Sequence, residues 1–204
     1  MKDYKIINDP VFGFIKIPAG MMLHIIQHPL MQRLTRIKQL GLTSMVFPAA
    51  QQTRFKHSLG AYHLMNEAVL SLQQKGTFIF DSESEAVRAA ILMHDIGHGP
   101  FSHVLEHTLV EGVSHEDVSL MAMERINDSL GGQLNLAINI CKGNYPKKFL
   151  HLLISSQLDV DRLDYLQRDS FFTGVREGSI SSARIIKMLD VVNDQLCVDH
   201  KSIY

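Results

Sequence analysis

The chain has 204 residues and 46% apolar content, which is enough to bury a sizeable core in one domain. A formal net charge of −1 argues against a protein that relies on bulk charge to bind nucleic acid or a membrane. The two cysteines, Cys141 and Cys197, are far apart, which predicts a reducing compartment and no disulfide framework. Because the sequence has neither a signal-peptide core nor an apolar stretch of bilayer-spanning length, we expect a cytoplasmic protein.

The two ends of the chain predict β-structure, and the middle predicts helices. Residues 4–18 alternate loosely between apolar and polar side chains around Pro10, which predicts two short strands and a turn. Near the C-terminus, short apolar runs flank Asn193 and Asp194, which predicts a closing hairpin. We therefore expect one mostly α-helical domain with a β arm over 1–20, a helical core over 21–189 and a hairpin over 190–204.

Apolar residues at a spacing of three or four predict the helices of the core. Two capping boxes, Ser82 with Glu85 and Ser114 with Asp117, predict where two of these helices begin. No repeat, low-complexity run or linker interrupts the pattern. The predicted helices cover residues 29–40, 54–75, 83–96, 115–130, 134–141, 146–157, 160–170 and 181–189.

The most unusual stretch is 91–103, where an apolar run carries His94, Asp95 and His98. A buried ionised aspartate beside imidazoles is unfavourable unless something compensates it, and a metal ion is the usual compensation. Residues four apart share a helix face, so His94 and His98 point the same way if the helix continues to His98. Imidazole and carboxylate ligands suit iron, manganese, zinc, nickel or magnesium, and the absence of thiolates argues against a structural zinc site.

Two distant segments are equipped to complete such a site. His57 lies one turn into a helix patterned for the core, and residues 158–169 hold Asp161, Tyr165 and Asp169 at a spacing of four. A core histidine is more often structural than a ligand. An aspartate stripe interleaved with arginines, here Arg162 and Arg168, is more often a solvated helix face, so both interpretations stay open.

Four long motifs resemble those of a known family. They are Lys38–Gly41, Arg54–Gly60, His94–His103 and Asp159–Tyr165. They resemble the HD superfamily of His…His-Asp…Asp phosphohydrolases, and within it the deoxynucleoside triphosphate (dNTP) triphosphohydrolase branch. The resemblance covers most of the chain and implies a helical HD-type domain that hydrolyses dNTPs to deoxynucleoside and triphosphate. It also implies a divalent metal ion (Fe, Mn, Mg, Ni or Zn) held by His57, His94, Asp95 and Asp161.

The resemblance assigns roles to further residues. His98 matches a general acid for the leaving 5′ oxygen, and Glu116 matches the carboxylate that orients it; an acidic partner favours the protonated imidazole. Arg54 and Arg162 match cations that face triphosphate oxygens. A structural role is an equal alternative for two pocket histidines, His103 and His115. The residues matched to the sugar are Gln39, Leu40, Tyr165 and Asp169.

Departures from the family qualify these expectations. Relatives activated by guanine nucleotide use an acidic residue and an arginine where this chain has Gln27 and Thr35, so we do not expect guanine-specific activation. The resemblance further implies a homo-oligomer and, because relatives continue past Tyr204, a chain that is part of a longer protein. Two alternatives are an HD phosphohydrolase acting on another nucleotide phosphate ester and a non-catalytic, nucleotide-binding regulatory protein.

Overall fold

The computed structural model describes residues 3–101, 112–178 and 180–199. The prediction of a mostly helical domain with a β-strand pair near each end is confirmed. Among the described residues, no helix is long and apolar enough to cross a bilayer. The strands are β1 (Tyr4–Asp9), β2 (Gly13–Pro18), β3 (Leu189–Val192) and β4 (Gln195–Val198). The helices within those ranges are α1 (Met21–Gln27), α2 (Pro29–Arg33), α3 (Arg54–Gln74), α4 (Asp81–Met93), α5 (His115–Ser129), α6 (Asn135–Cys141), α7 (Lys148–Leu152), α8 (Val160–Thr173) and α9 (Ser182–Met188).

Each strand pair is an antiparallel hairpin with a short turn. In the β arm, Tyr4 pairs with Pro18 and Asp9 pairs with Gly13, which has φ +74°. In the closing hairpin, Asn193 and Asp194 both have positive φ, as a two-residue turn that matches strand twist requires. Asparagine and aspartate tolerate this conformation better than most residues do, so the local sequence specifies the turn.

Helix α3 lies at the centre of the domain. The Thr53 side chain caps its first turn by accepting a hydrogen bond from the Lys56 N–H. The helix packs against α4, α8 and α9, and its inward residues include the fully buried Tyr62 and Met65. Because α4 and α8 both contact α3, residues near the ends of these three helices meet in one region.

The prediction of one helix over 29–40 is correct only as far as Arg33. The α-helix ends at Arg33, a 3₁₀ turn follows over Leu34–Arg36, and Lys38 then forms a β-bridge with Thr53. The Gln39 N–H donates to the Gln52 carbonyl at 2.9 Å. This extended pairing, which apolar spacing does not reveal, holds the segment before Gly41 against the start of α3.

The helix predicted over 83–96 begins and ends earlier. Its N-cap is Phe80, whose N–H donates to the Glu83 carboxylate at 2.8 Å, so the predicted Ser82 cap is wrong. The helix ends at Met93, and residues 94–97 form a turn. This turn packs on α5 so closely that a Cβ added at Gly97 would lie 2.3 Å from the Ser119 backbone nitrogen.

Two other helices differ from their predicted ranges by more than one residue, and one predicted cap agrees. The Ser114–Asp117 capping box begins α5 as predicted. Helix α7 covers only Lys148–Leu152 of the predicted 146–157, because the chain turns after Leu153 to reach the next cap at Asp159. Helix α8 continues three residues beyond the predicted end and stops at Gly174, whose φ of +77° terminates it.

Candidate metal centre

Three side chains from three helical segments converge at one point. His57 from α3 places its Nε2 2.9 Å from Asp161 Oδ1 of α8 and 3.2 Å from His94 Nε2, just past α4. His94 Nε2 lies 3.4 Å from the same Asp161 oxygen. All three ligand atoms therefore lie within 4.8 Å of one another, which is close enough to bind one ion.

The hydrogen bonds behind the two imidazoles fix which ring nitrogens face the centre. His94 Nδ1 lies 2.6 Å from the Ile91 carbonyl, which can only accept, so this nitrogen carries the proton. His57 Nδ1 lies 2.6 Å from an Asp164 carboxylate oxygen, which also accepts. In the neutral rings, both Nε2 lone pairs thus point toward each other and toward Asp161. Such a set of converging acceptors fits a bound cation.

Asp95 lies beside this group. Its Oδ1 is 3.5 Å from His94 Nε2 and 3.2 Å from His98 Nε2. Its Oδ2 is 2.6 Å from Arg54 Nη1 and 3.7 Å from His57 Nε2. The carboxylate is therefore within a short rotation of the converging atoms while it pairs with a buried arginine.

Two opposing effects set the pKa values of the site: burial disfavours the charged form of each group, and nearby partners of opposite charge favour it. Burial disfavours the charged form of His57, but the hydrogen bonds and charges of Asp161 and Asp164 outweigh it and raise the pKa of His57 well above its usual value. Burial is similarly outweighed at Asp95, where His94, His98, His57 and Arg54 lower the pKa well below its usual value. Asp161 also has a lowered pKa despite burial, through His57 and His94. Both carboxylates are therefore ionised near neutral pH.

His98, the predicted general acid, lies at the end of the turn that follows α4. The condition for a shared helix face, that the helix continues to His98, is not met, because α4 ends at Met93. The His98 ring stacks on His115 with centroids 4.1 Å apart. Burial lowers the pKa of His98, and the hydrogen bond to Asp95 opposes this shift only in part.

A cleft of about 720 Å³ opens onto these side chains. His57 lies buried beneath the cleft, while Leu40, Arg162 and Asp169 lie outside its lining. Asp169 accepts a hydrogen bond from Gln52, and Arg162 donates to the Ser156 carbonyl. His103 falls outside the described residues. Nine predicted site residues line the cleft: Gln39, Arg54, His94, Asp95, His98, His115, Glu116, Asp161 and Tyr165.

Sequence reasoning missed two parts of the site. The first is Asp164, which accepts a hydrogen bond from the His57 nitrogen that faces away from the centre. Asp164 follows Asp161 by three residues and so lies on the same side of the helix, a spacing that could have been noticed in the sequence. The second is the far wall of the cleft, formed by residues of α6 and α7 and the turn after them, including Cys141, His151 and Ser155. Apolar spacing predicted core helices in that region, but it did not indicate that their residues line a cleft.

The fold and the site define a mostly helical domain with a histidine–aspartate centre suited to a metal ion. The chain belongs to the HD domain family, whose model matches residues 54–169, from the first residue of α3 into α8. The resemblance inferred from the four motifs is thereby confirmed at the level of the family.

Individual relatives extend the match over nearly the whole chain. A crystal structure of a phosphohydrolase from Bacteroides thetaiotaomicron is 68% identical, with a TM-score of 0.96, over 99% of this chain and 50% of that one. The YwfO protein of Bacillus subtilis is 36% identical over 100% of this chain and 48% of its own length. A protein of Dictyostelium discoideum named deoxynucleoside triphosphate triphosphohydrolase SAMHD1 homolog is 35% identical over 100% of this chain and 43% of its own. The chain thus spans about half the length of these relatives.

Proposed function

We propose that the chain carries the active site of a metal-dependent phosphohydrolase that cleaves dNTPs to deoxynucleoside and triphosphate. The observation that carries the proposal is the convergence of His57 Nε2, His94 Nε2 and Asp161 Oδ1 beneath a cleft. The substrate class is supported by the four motifs and by the similarity to a Dictyostelium relative named as a dNTP triphosphohydrolase.

The proposed ligands of the divalent ion are His57, His94, Asp95 and Asp161. Asp95 is proposed to complete the set through Oδ1, which lies 3.5 Å from His94 Nε2, while its Oδ2 stays paired with Arg54. A divalent ion held by these residues would polarise a phosphoryl oxygen and would lower the pKa of a bound water. The ligand set has no thiolate, so manganese, iron, magnesium, nickel and zinc all fit the donor chemistry.

Two residues of the cleft have hydrogen-bonding atoms to offer a nucleotide. Among the described residues, Arg54 Nε and Gln39 Oε1 are buried without a hydrogen-bond partner. We assign Arg54 to the triphosphate, because a fixed guanidinium suits concentrated negative charge. Gln39 Oε1 is an acceptor, and we assign it to a sugar hydroxyl. The remaining proposed substrate residues, by their resemblance to the family, are Leu40, His103, His115, Arg162, Tyr165 and Asp169.

His98 is the proposed proton donor to the leaving 5′ oxygen, and Glu116 is the carboxylate proposed to orient it. Burial favours neutral His98 in the free protein, which by itself disfavours the acid role. A bound triphosphate brings several negative charges to the same cleft, and these favour the imidazolium. We therefore expect His98 to become protonated in the substrate complex, where the proton is needed.

We further propose that the whole protein is a cytoplasmic homo-oligomer whose nucleotide activator, if it has one, is not selected for guanine. The sequence has two distant cysteines, Cys141 and Cys197, without a paired-thiol spacing, which supports a reducing compartment. Gln27, which stands where guanine-activated relatives carry an acidic residue, is exposed at the end of α1.

The function is tested by identifying products. The protein, loaded with Mn²⁺, is incubated with dNTP, NTP and dNMP, and the products are separated by anion-exchange chromatography. The proposal predicts deoxynucleoside and intact triphosphate from dNTP alone. Equal turnover of NTP or dNMP would support an HD phosphohydrolase of another specificity, and binding without turnover would support a regulatory protein.

A further inference from the structure

Behind the proposed metal centre, a row of buried charged side chains runs from α3 through α8 to the β arm. His57 contacts Asp164, Asp164 contacts Arg168, and Arg168 contacts Asp9. The four side chains are at most 3% exposed. We refer to Asp164, Arg168 and Asp9 together as the buried relay. Charges this deep are retained only with close partners, and each member has them.

Asp164 determines which nitrogen of His57 carries the proton. Its Oδ2 lies 2.6 Å from His57 Nδ1 and accepts the Nδ1–H. When the ring is neutral, the proton stays at Nδ1 and Nε2 keeps the lone pair that faces Asp161 and His94. The same contact fixes the rotation of the ring, because Asp164 is fully buried and has no room to follow a turned imidazole.

Arg168 donates hydrogen bonds to both oxygens of Asp164. Its Nε donates to Asp164 Oδ2 at 2.9 Å, and its Nη2 donates to Asp164 Oδ1 at 2.8 Å. A guanidinium stays charged under all ordinary conditions and matches both oxygens of a carboxylate. Both oxygens of Asp164 therefore already face donors of Arg168, and the His57 N–H reaches Oδ2.

Asp9 anchors the other end of the buried relay in the β arm. Its Oδ2 accepts from Arg168 Nη1 at 2.8 Å, while its Oδ1 accepts from the N–H groups of Val11 and Phe12 in the arm's turn. The Phe12 ring lies beneath the guanidinium, with 5.6 Å between the ring centroid and Arg168 Cζ. The turn between β1 and β2 thus closes over the buried relay.

The glycine at position 60 provides the space for this arrangement. A Cβ added there would lie 1.8 Å from Asp164 Oδ1 and 2.1 Å from Arg168 Nη2. Gly60 follows His57 by three residues, so it presents the same face of α3 to α8. A side chain at this position would displace the ion pair and, through it, the hydrogen bond to His57.

We propose that the buried relay positions His57 for the metal ion, so that the β arm, although remote from the cleft, contributes to ion affinity. The inference rests on the metal site of the proposed function. Asp164, Arg168 and Asp9 are positioning residues: none lines the cleft, and they act through the tautomer and orientation of His57.

Replacing Asp164 by asparagine tests the tautomer directly. The amide group has one accepting and one donating end, whereas both oxygen positions of Asp164 face donors. With the NH₂ toward His57, the ring must accept at Nδ1 and carry its proton at Nε2, where it blocks the ion. With the NH₂ toward Arg168 Nη2, the amide N–H and the guanidinium N–H both donate and repel each other, so the contact that orients the side chain is lost. Either arrangement weakens the presentation of Nε2 to the ion.

The experiment compares Asp164→Asn, Asp9→Asn and the control Glu83→Gln with the wild-type protein. Glu83 is a buried carboxylate paired with Lys147 near the start of α4, so its change to an amide removes a similar buried ion pair away from the site. The readouts are the Mn²⁺ dissociation constant by calorimetric titration, the melting temperature, and the imidazole N–H signals in ¹⁵N-edited NMR of the metal-free protein.

The buried relay predicts that Asp164→Asn weakens Mn²⁺ binding by about 10- to 100-fold and removes the His57 Nδ1–H signal. Asp9→Asn weakens binding by less than about 10-fold, because Arg168 still holds Asp164. Glu83→Gln lowers the melting temperature and leaves the Mn²⁺ constant unchanged. A folded Asp164→Asn protein with wild-type affinity, or an equal loss of affinity in Glu83→Gln, would overturn the inference. If the wild-type protein itself does not bind Mn²⁺, the metal site fails and the inference fails with it.

Discussion

Arg54 Nη1 lies 2.6 Å from Asp95 Oδ2 in a region where both side chains are largely buried. This contact joins the proposed phosphate-binding cation to a proposed metal ligand. Arg54 Nε remains without a partner among the described residues. Because Arg54 also lines the cleft, it can pair with Asp95 and contact a substrate at the same time.

Arg54→Lys is expected to separate these two roles. An ammonium keeps the positive charge but lacks the planar set of donors, so a lysine that stays near Asp95 cannot also present a second fixed donor. We expect kcat/KM for dNTP to fall roughly 10- to 100-fold, the equivalent of one charge-assisted hydrogen bond of about 1.5–3 kcal/mol. Steady-state kinetics measures this change, and a wild-type kcat/KM in Arg54→Lys would contradict the assignment.

Substitution of His98 by glutamine is expected to reduce kcat about 100-fold or more, which is the range for loss of a general acid. The glutamine amide can still donate to Asp95, so the Mn²⁺ dissociation constant should change little. Single-turnover kinetics with saturating dNTP, together with Mn²⁺ titration, separates the two effects. A kcat near that of the wild-type protein would remove His98 from the proposed mechanism.

Gly97→Ala is expected to destabilise the turn that carries the site. The added Cβ would meet the His115 carbonyl and the Ser119 nitrogen at 2.3 Å, and backbone atoms cannot move aside cheaply. We expect the free energy of unfolding to fall by about 1–3 kcal/mol. Gly99→Ala is the matched control, because among the described residues a Cβ there has no neighbour within 4 Å. Urea denaturation measures the unfolding free energies of the two variants. If they are equal, the close packing of α5 on this turn does not exclude a side chain at Gly97.

A pH-dependent contribution to stability is expected from Glu83. Burial raises the pKa of this carboxyl, but hydrogen bonds from Lys147, Tyr145 and the Phe80 N–H outweigh burial and lower it below 4.5. A carboxyl with a lowered folded-state pKa stabilises the fold above its unfolded-state pKa and loses that contribution as the pH falls through its folded-state value.

Wild-type protein should therefore exceed Glu83→Gln in unfolding free energy by about 1–3 kcal/mol at neutral pH. The difference should shrink progressively below the ordinary pKa of 4.5. Denaturation of the two proteins at a series of pH values from 7 to about 3 measures it. A difference that stays constant over this range would contradict the ion pair as its source.

The sequence was sufficient to predict the helical class, the two hairpins and the position of α3. These features depend on local signals: apolar periodicity, turn residues and caps. The end of α2 at Arg33 was not predictable in this way, because the extended pairing of Lys38 with Thr53 replaces the helix. The end of α4 at Met93 also depends on a tertiary contact, the packing of Gly97 on α5.

The candidate site shows the same division. His57, His94 and Asp161 were selected from the sequence, and the structure brings them together. Arg168 was open to interpretation as part of a solvated helix face, yet its side chain is fully buried, while that of Arg162 is 45% exposed. The two arginines are alike in sequence pattern. Only the packing of α8 against α3 and the β arm distinguishes them.

The central claim, that His57, His94 and Asp161 hold a divalent ion, is tested most directly by crystallography. Crystals of the protein grown with Mn²⁺ are used to collect anomalous diffraction data. We expect one strong anomalous peak within coordination distance of His57 Nε2, His94 Nε2 and an Asp161 oxygen, with Asp95 completing the set. A peak elsewhere, or a fully occupied water at this point in the presence of Mn²⁺, would contradict it.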